Sequence, residues 1–212
     1  MRRSALRMTA TITSAVALLA LPACSGSDDE PAGSDTTTTS AASSDTTPTD
    51  EATSSDEAAG DSVTGSGYSI AVPSGWEDVT ELAKQSNSQA DIAVAEPQTQ
   101  GEFRTNFNVV TPTPLPDGVG DDELADQAAK ELESVTNSEV TPLDVTVDFD
   151  GANALGQTSK TTTQGFTITI TQYLLVHEDQ IFATTLTYDE KRADEAMDTL
   201  AEIADSWTWD VS

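Results

Sequence analysis

A 40-residue segment near the amino terminus contains almost nothing that a folded core can bury. From Ser25 to Thr64, 18 residues are Ser or Thr, ten are Asp or Glu, and Val63 is the only large apolar side chain. Without apolar burial, nothing offsets the entropy that ordering a chain costs. We therefore expect residues 24–66 to form a disordered acidic tether. Its composition is also typical of O-glycosylated stalks, with an unmodified spacer as the alternative.

Aromatic and basic residues divide the chain at the same place. All eleven aromatic residues lie at or after Tyr68, and no Lys or Arg occurs between Arg7 and Lys84. The residues from 67 onward are numerous enough for one domain of ordinary size. The sequence therefore predicts three parts, which are a leader over 1–23, the tether over 24–66 and a folded domain over 67–212.

The leader has the layout of a secretory signal. Arg2, Arg3 and Arg7 precede an apolar run that begins at Met8 and ends in small residues, as export signals do. A membrane-spanning helix is the alternative. A span needs about 20 predominantly apolar residues, whereas this run is shorter and is interrupted by hydroxyl side chains. We expect the leader to be removed.

The leader ends in Leu21-Pro22-Ala23-Cys24, which resembles the lipobox of bacterial lipoproteins. The resemblance implies cleavage before Cys24, acylation of that residue with palmitate-type chains, and a place on the outer face of the cytoplasmic membrane. Cys24 is the only cysteine, so it has no intramolecular disulfide partner. Two or more acyl chains anchor a protein stably, which one chain does not. A stray thiol and an ordinary cleaved signal are the alternatives.

The charge of the chain excludes some partners. The chain has 37 Asp and Glu against nine Lys and Arg, a formal net charge of −28. Nucleic-acid binding and direct adsorption to anionic lipid both depend on clustered basic residues. We therefore expect no nucleic-acid partner and a membrane association that depends on the anchor. Cations and basic proteins remain open as partners.

Alternating apolar residues predict strands in the folded domain. Successive runs are separated by turn signals such as Asp150-Gly151 and the stretch 177–180, and consecutive hairpins build an antiparallel sheet. The predicted strands cover 68–72, 91–95, 103–111, 143–149, 166–176 and 181–188.

Two amphipathic helices and one short helix accompany these strands. The first long helix begins near Asp121, where three successive carboxylates suit the positive end of the helix dipole, and the second runs from Glu190 to Ser206. The short helix covers 80–84. We expect the apolar stripes to cover the inner face of one antiparallel sheet in an α+β sandwich of six or seven strands. The first stripe is Leu124, Ala128, Leu132 and Val135, and the second is Ala193, Ala196, Met197, Leu200, Ile203, Ala204 and Trp207.

Two short motifs at the ends of the domain resemble a known group. The stretch 68–76 reads YSIAVPSGW, and the last helix runs into Ser206-Trp207-Thr208-Trp209. Together they look like the PsbP-like fold group and, more narrowly, the LpqN and LpqT type of actinobacterial lipoproteins. The resemblance implies an α/β/α sandwich around a central antiparallel sheet, a cell-envelope setting and a binding or assembly role. It brings no catalytic residues.

Reactive side chains are scarce in this sequence. His177 is the only histidine and lies in a predicted turn, which disfavours a Ser-His-Asp triad or a multi-histidine zinc site. No phosphate-binding glycine motif occurs. Residues 148–153 alternate oxygen ligands but lack the EF-hand pattern, so a strand end and turn explain them better than a calcium loop. We predict no catalytic residues, no metal site and no cofactor.

The three tryptophans are the remaining candidates for a site. Trp76, Trp207 and Trp209 are candidates for lining an apolar pocket for a lipid or glycan fragment. The alternative, which we prefer, is that they close the two ends of the core.

These observations support a monomeric, non-catalytic binding or accessory module of the cell envelope. Its predicted partners are the membrane, through the anchor on Cys24, and an unidentified envelope protein or lipid. A carrier of apolar envelope ligands is the alternative, and a hydrolase relying on paired carboxylates is a third class.

Overall fold

A large antiparallel sheet forms the middle layer of the domain. The computed structural model describes residues 61–144 and 147–210, so the predicted leader, Cys24 and nearly all of the tether lie outside the described residues. In the described part the sheet has eight strands in the order β3-β4-β5-β10-β9-β8-β7, with β6 beside β10. The strands are β3 (Glu77–Asp78), β4 (Ala90–Ala95), β5 (Asn106–Val110), β6 (Thr113–Pro114), β7 (Val140–Pro142), β8 (Asn153–Thr163), β9 (Phe166–His177) and β10 (Gln180–Asp189).

Two hairpins join the three longest strands of this sheet. The β8–β9 turn is Gln164-Gly165 and the β9–β10 turn is Glu178-Asp179, and all four residues have positive φ. Two-residue turns with positive φ at both residues match the twist of the strands that they connect. Strand β9 therefore continues to His177, which pairs with Gln180. The prediction that His177 lies in the turn is wrong, because the turn begins one residue later, at Glu178.

A second, smaller sheet lies on one face of the large sheet. Its order is β1-β2-β11, built from Ser62–Thr64, Tyr68–Ala71 and Thr208–Trp209. The strand predicted at 68–72 is confirmed. Strand β1 lies before residue 67, because Val63 is buried against the same hydrophobic cluster as Tyr68 and Ile70.

The helices are divided between the two faces. Helix α3 (Ala193–Asp205) shares the face of the small sheet, whereas α1 (Thr80–Ser86) and α2 (Asp121–Thr136) cover the opposite face. The α/β/α sandwich implied by the resemblance is thus present. The expectation that both long helices cover one inner face is wrong, because the central strands have buried side chains on both faces and each face needs a cover,.

Both long helices begin close to the predicted positions, and the second also ends close to its predicted end. Asp121, Asp122 and Glu123 occupy the first turn of α2, and Asn137 ends it in the left-handed conformation, as is usual after a helix. Residues 190–192 form a 3-10 turn before α3, with the Asp189 carboxylate accepting a hydrogen bond from the Lys191 amide at 3.1 Å. Val135, predicted to be in the apolar stripe, is 47% exposed.

Between β7 and β8 the sequence prediction differs from the structure. No strand is present in the described part of 143–149, and Val145 lies outside it. The alternation misleads here because Leu143, Val147 and Phe149 all pack into one hydrophobic cluster, as alternate residues of a strand would, although the described part of the segment forms no strand. Strand β8, rich in Thr and without a long apolar run, was missed.

No helix within 61–144 or 147–210 is both long enough and apolar enough to cross a bilayer.

Candidate functional site

Trp207 closes the hydrophobic core beneath the small sheet. It is 2% exposed and stacks on Tyr68 at 4.3 Å between ring centroids, with the rings within 5° of parallel. Phe149 meets Trp207 edge to face at 5.5 Å. Aromatic rings in these arrangements stabilise a core beyond the area that they bury. Trp207 is therefore part of the hydrophobic core.

Trp209 lies at the rim of the same cluster and is half-buried. Its indole nitrogen donates to the carbonyl of Phe149 at 3.2 Å, and its ring contacts Trp207 at 5.3 Å between centroids. His177 stacks on Trp209 at 4.1 Å, within 7° of parallel. His177 is thus packed against an aromatic ring at a strand end and is not a freely solvated residue.

Trp76 is separate from the other two tryptophans. It is half-buried and packs against the large cluster, but no ring contact joins it to Trp207 or Trp209 among the described aromatic pairs. The structure therefore brings together two of the three predicted pocket residues, Trp207 and Trp209. Of these, Trp207 is buried in the core. A pocket lined by all three remains only a proposal.

Tyr68 and Asp91 meet at a β-bulge where the small sheet approaches β4. Asp91 is the extra residue of this bulge, and it accepts hydrogen bonds from the Ser66 amide at 2.7 Å and the Ser66 hydroxyl at 2.8 Å. Burial, and then the charge of Asp91, raise the pKa of Tyr68 far above its ordinary 10.0. The Tyr68 phenol stays neutral at any physiological pH, so it does not supply a phenolate.

The strongest ion-pair network joins the end of β4 to the start of α3. Arg192 holds Glu96 with two hydrogen bonds, of 2.5 and 2.7 Å, and also pairs with Glu195 at 2.9 Å. Burial opposes the ionisation of Glu96, but the bonds from Arg192 and Thr105 outweigh it and hold the pKa of Glu96 below its ordinary 4.5. Both partners are thus charged at neutral pH.

A shallow depression of about 370 Å³ lies over residues 190–195, next to this network. Three of its charged side chains are engaged in ion pairs, since Glu190 pairs with Lys160, and Arg192 pairs with Glu195 and with Glu96. These contacts tie β8, β4 and α3 together. The depression is therefore best explained as the outer surface of a structural joint.

The stretch 148–153 forms a turn. Asp148 accepts a hydrogen bond from the Gly151 amide at 2.8 Å, and Asn153 donates to Asp121 at 3.0 Å. The first contact occupies one of the carboxylate oxygens that a calcium loop would offer. Within 61–144 and 147–210, no three His, Cys, Asp or Glu side chains cluster in a way that would hold a metal.

A strip of uncharged polar side chains, which the sequence patterns did not predict, crosses the large sheet on the face of α1 and α2. Paired residues of adjacent strands form two rows across β5, β10, β9 and β8. Seven of these eight side chains are polar, and each is at most 5% exposed. The rows are Asn108, Thr185, Gln172 and Gln157, and then Asn106, Thr187, Ile170 and Ser159.

Hydrogen bonding in this polar strip is incomplete. Gln157 donates to Gln172 at 2.6 Å. By contrast, Oδ1 of Asn106, Nδ2 of Asn108 and Oγ1 of Thr187 are buried without a hydrogen-bond partner. Buried polar groups are normally paired because each unpaired one costs about 1–3 kcal/mol. The strip therefore carries both donors and acceptors that suit an uncharged ligand with the same groups.

One sequence signal could have indicated the polar strip. Asn106 and Asn108, and likewise Thr185 and Thr187, are polar residues at alternate positions of strands that are otherwise apolar. Alternate positions face the same side of a sheet. On an edge strand the same pattern indicates a face exposed to solvent. It indicates a buried polar strip here only because β5 and β10 are central strands of the sheet.

Comparisons with known proteins give structural likenesses alone. No family model matches the sequence, and no curated protein matches it. Solved structures that match include cyanobacterial PsbP from Synechocystis sp. PCC 6803, at 14% identity and a TM-score of 0.47, over 75% of this chain and 98% of that one.

Two further matches have similar scores. LpqN of Mycobacterium tuberculosis, described as involved in cell envelope biogenesis, is 14% identical with a TM-score of 0.48, over 69% of this chain and 86% of that one. The Saccharomyces cerevisiae Ran-binding protein Mog1p is 11% identical with a TM-score of 0.49, over 68% and 90%. Likenesses at this level assign the chain to no family, and its LpqN or LpqT type stays a proposal.

Proposed function

We propose that this chain is a lipid-anchored, non-catalytic binding module of the cell envelope that docks a protein or lipid partner. The observation that carries the proposal is the polar strip, where several uncharged donors and acceptors are buried and three of them lack a partner. Uncharged polar groups of this kind recognise a partner through shape and hydrogen bonds. The side chains of the strip are amides, hydroxyls and one aliphatic group, and none of them is a titratable group that could act as a general base,.

The anchor is the second part of the proposal and rests on Cys24 and the leader before it. A diacylglyceryl group on Cys24 holds the chain at the membrane, because two acyl chains suffice for stable attachment. The acidic tether then keeps the domain away from the negative lipid surface by like-charge repulsion.

Replacement of Cys24 tests the anchor. Cys24→Ser removes the acylation site, so the chain is expected to accumulate uncleaved or to leave the membrane fraction. Fractionation of the host cells with the intact mass of the protein measures both outcomes. A Cys24→Ser chain that is processed and retained like the wild type contradicts the lipid anchor.

Two matched threonine variants test binding at the polar strip. Thr187→Val removes an unpaired hydroxyl, whereas Thr184→Val removes a hydroxyl on the opposite face of the same strand, which donates to the Tyr173 carbonyl at 3.3 Å. Native mass spectrometry of the protein extracted from its own host compares the partner that co-purifies. We expect Thr187→Val alone to lower the bound fraction.

The identity of the bound species separates the classes of function. A stable protein partner supports docking, and a co-purifying lipid supports a carrier of apolar ligands. Substrate turnover that one carboxylate substitution abolishes would contradict the proposal.

A further inference from the structure

Three unpaired polar atoms of the strip lie close together on two central strands. Asn106 and Asn108 are alternate residues of β5, so their side chains face the same side of the sheet,. Thr187 of β10 is the cross-strand partner of Asn106. Oδ1 of Asn106, Nδ2 of Asn108 and Oγ1 of Thr187 are all buried without a hydrogen-bond partner. These atoms form one compact group at the β5–β10 end of the strip.

The orientation of Asn106 decides which of its atoms a ligand can use. Its Nδ2 donates to the carbonyl of Arg104 at 3.2 Å, so Oδ1 is the atom left over, and it can only accept. Asn108 leaves Nδ2 unpaired, which can only donate, and the hydroxyl of Thr187 can do either. A ligand that satisfies this group must therefore offer a donor to Asn106 and an acceptor to Asn108.

The distance between the two asparagines selects the kind of ligand group that can do this. Alternate residues of a strand lie about 7 Å apart. A single water or hydroxyl bridges at most about 6 Å, which is the length of two hydrogen bonds. A trans secondary amide points its N–H and its C=O in opposite directions, so its two partners lie about 7–8 Å apart. The spacing therefore fits a secondary amide and exceeds the reach of a single oxygen atom.

Apolar side chains lie on both sides of these polar atoms. The row that contains Asn106 and Thr187 includes Ala95 of β4 on one side and Ile170 of β9 on the other. Both side chains are 0% exposed. They offer contact to a methyl group beside the amide, and an acetamido group combines a methyl group with a secondary amide.

The surroundings disfavour a charged ligand. Asp189 lies two residues after Thr187 on the same face of β10, is buried, and accepts a hydrogen bond from the Lys191 amide at 3.1 Å. Its carboxylate would repel an anion. Burying any ion costs more than burying an uncharged polar group, so an uncharged ligand suits this position.

We infer that Asn106, Asn108 and Thr187 bind an acetamido group, which the partner docked at the strip carries on an uncharged N-acetylated amino sugar. The N–H of the ligand donates to Asn106, and its carbonyl accepts from Asn108. The hydroxyl of Thr187 bonds a neighbouring sugar hydroxyl. A peptide fits less well, because it repeats its amides along the chain and the group satisfies only one. The inference rests on the proposed function, since it uses the same strip.

Calorimetric titration of the full chain tests the recognition of the amide. The probes are N-acetylglucosamine and glucose, which differ in having an acetamido group or a hydroxyl at one carbon. We expect N-acetylglucosamine to bind at least tenfold more tightly, because a site built for hydrogen bonds rejects an analogue that lacks them. Equal binding of the two sugars, or no binding of either, would overturn the inference.

A blocked amino acid tests the source of the amide. N-acetylglycine N-methylamide is uncharged and has two secondary amides but no sugar hydroxyls. We expect it to bind at least fivefold more weakly than N-acetylglucosamine. Binding as tight as that of the sugar would assign the site to a peptide and overturn the assignment to an amino sugar.

Nuclear magnetic resonance of the isotope-labelled wild-type chain locates the bound sugar. The side-chain amide resonances of Asn108 should shift on addition of N-acetylglucosamine and stay in place on addition of glucose. This measurement uses no variant, so it does not depend on how well the core tolerates substitution. Bound sugar with unchanged Asn108 resonances would place the sugar elsewhere and contradict the inference.

The two threonine variants separate this inference from the proposed function. Thr187→Val is expected to weaken N-acetylglucosamine binding at least threefold, and Thr184→Val, on the opposite face, to leave it within twofold. If Thr187→Val lowers the bound fraction of the native partner but neither sugar binds, docking at the strip stands and the acetamido group is wrong. If Thr187→Val leaves the native partner bound as before, docking at the strip itself is wrong.

Discussion

Single residues in this domain have sharply different surroundings although their types are the same. Glu96 is held by two bonds from Arg192 and one from the Thr105 amide, whereas Glu77 has one partner, Arg104, and is 59% exposed. Exposed ion pairs contribute little to stability, and partly buried, bidentate pairs contribute more. Glu77 is therefore a suitable control for substitutions of Glu96.

Glu96→Gln is expected to lower the free energy of unfolding at pH 7 by roughly 1–3 kcal/mol. Because the folded pKa of Glu96 is below 4.5, its ionised form stabilises the fold above that pH. This contribution is lost as the pH falls through the folded pKa. The difference between wild type and Glu96→Gln in urea unfolding should thus shrink between pH 7 and pH 3.

The control for this prediction is Glu77→Gln. It should cost less than about 1 kcal/mol at either pH. A Glu96→Gln penalty that stays constant with pH would show that packing, and not the charge, accounts for the effect.

At the scale of elements, the two hairpin turns differ in whether the turn residues themselves favour the backbone conformation that the paired strands require. The β8–β9 turn places Gly165 at φ +86°, where glycine is favoured, but the β9–β10 turn places Asp179 at φ +60°. Left-handed backbone costs a residue with a β-carbon more than it costs glycine. The β9–β10 hairpin therefore forms because its flanking strands pair along their full length.

Opposite substitutions at these two turns should have opposite effects. Asp179→Gly is expected to raise the free energy of unfolding by roughly 0.5–1 kcal/mol, and Gly165→Ala to lower it by roughly 1–2 kcal/mol. Urea unfolding of both variants measures the two shifts. A loss of stability in Asp179→Gly would mean that the aspartate side chain supports the turn.

Elements were predicted well where one local rule decides them. The start of α2 follows from three carboxylates, and β9 follows from Phe166, Ile168 and Ile170 at alternate positions. The stretch 143–149 alternates in the same way and is no strand in its described part. Alternation reports which residues are apolar, and only the rest of the fold decides which way each one points.

For the whole molecule, the dominant property of the folded part is its negative charge. Residues 61–212 contain 28 Asp and Glu against six Lys and Arg. The ion pairs of the described residues engage four of these six cations, and each exposed pair contributes at most about 1 kcal/mol. Repulsion among the excess carboxylates destabilises the compact state.

Sodium chloride is therefore expected to stabilise the domain. Raising its concentration from 10 to 500 mM shortens the Debye length from about 30 Å to less than 8 Å, which screens the long-range repulsion more than the close pairs. Thermal unfolding should show a Tm several degrees higher at the upper concentration, whereas an equal osmolarity of a neutral solute serves as the control. A lower Tm in salt would show that the ion pairs outweigh the repulsion.

The amino-acid sequence alone determined that the chain has an uncharged, largely apolar run over 8–21, an acidic segment with almost no large apolar side chain, and an antiparallel α+β domain. These features follow from composition and local periodicity, which do not depend on where a segment lies in the folded domain. Tertiary structure decided the rest, because it sets which strand is central and which face a helix covers. It placed α2 and α3 on opposite faces, buried Trp207 beneath Tyr68, and aligned the polar residues of β5, β10, β9 and β8 in one strip. The sequence does not show whether an asparagine lies on an edge strand or on a central one. Only its burial in the folded domain makes an unpaired amide a candidate site.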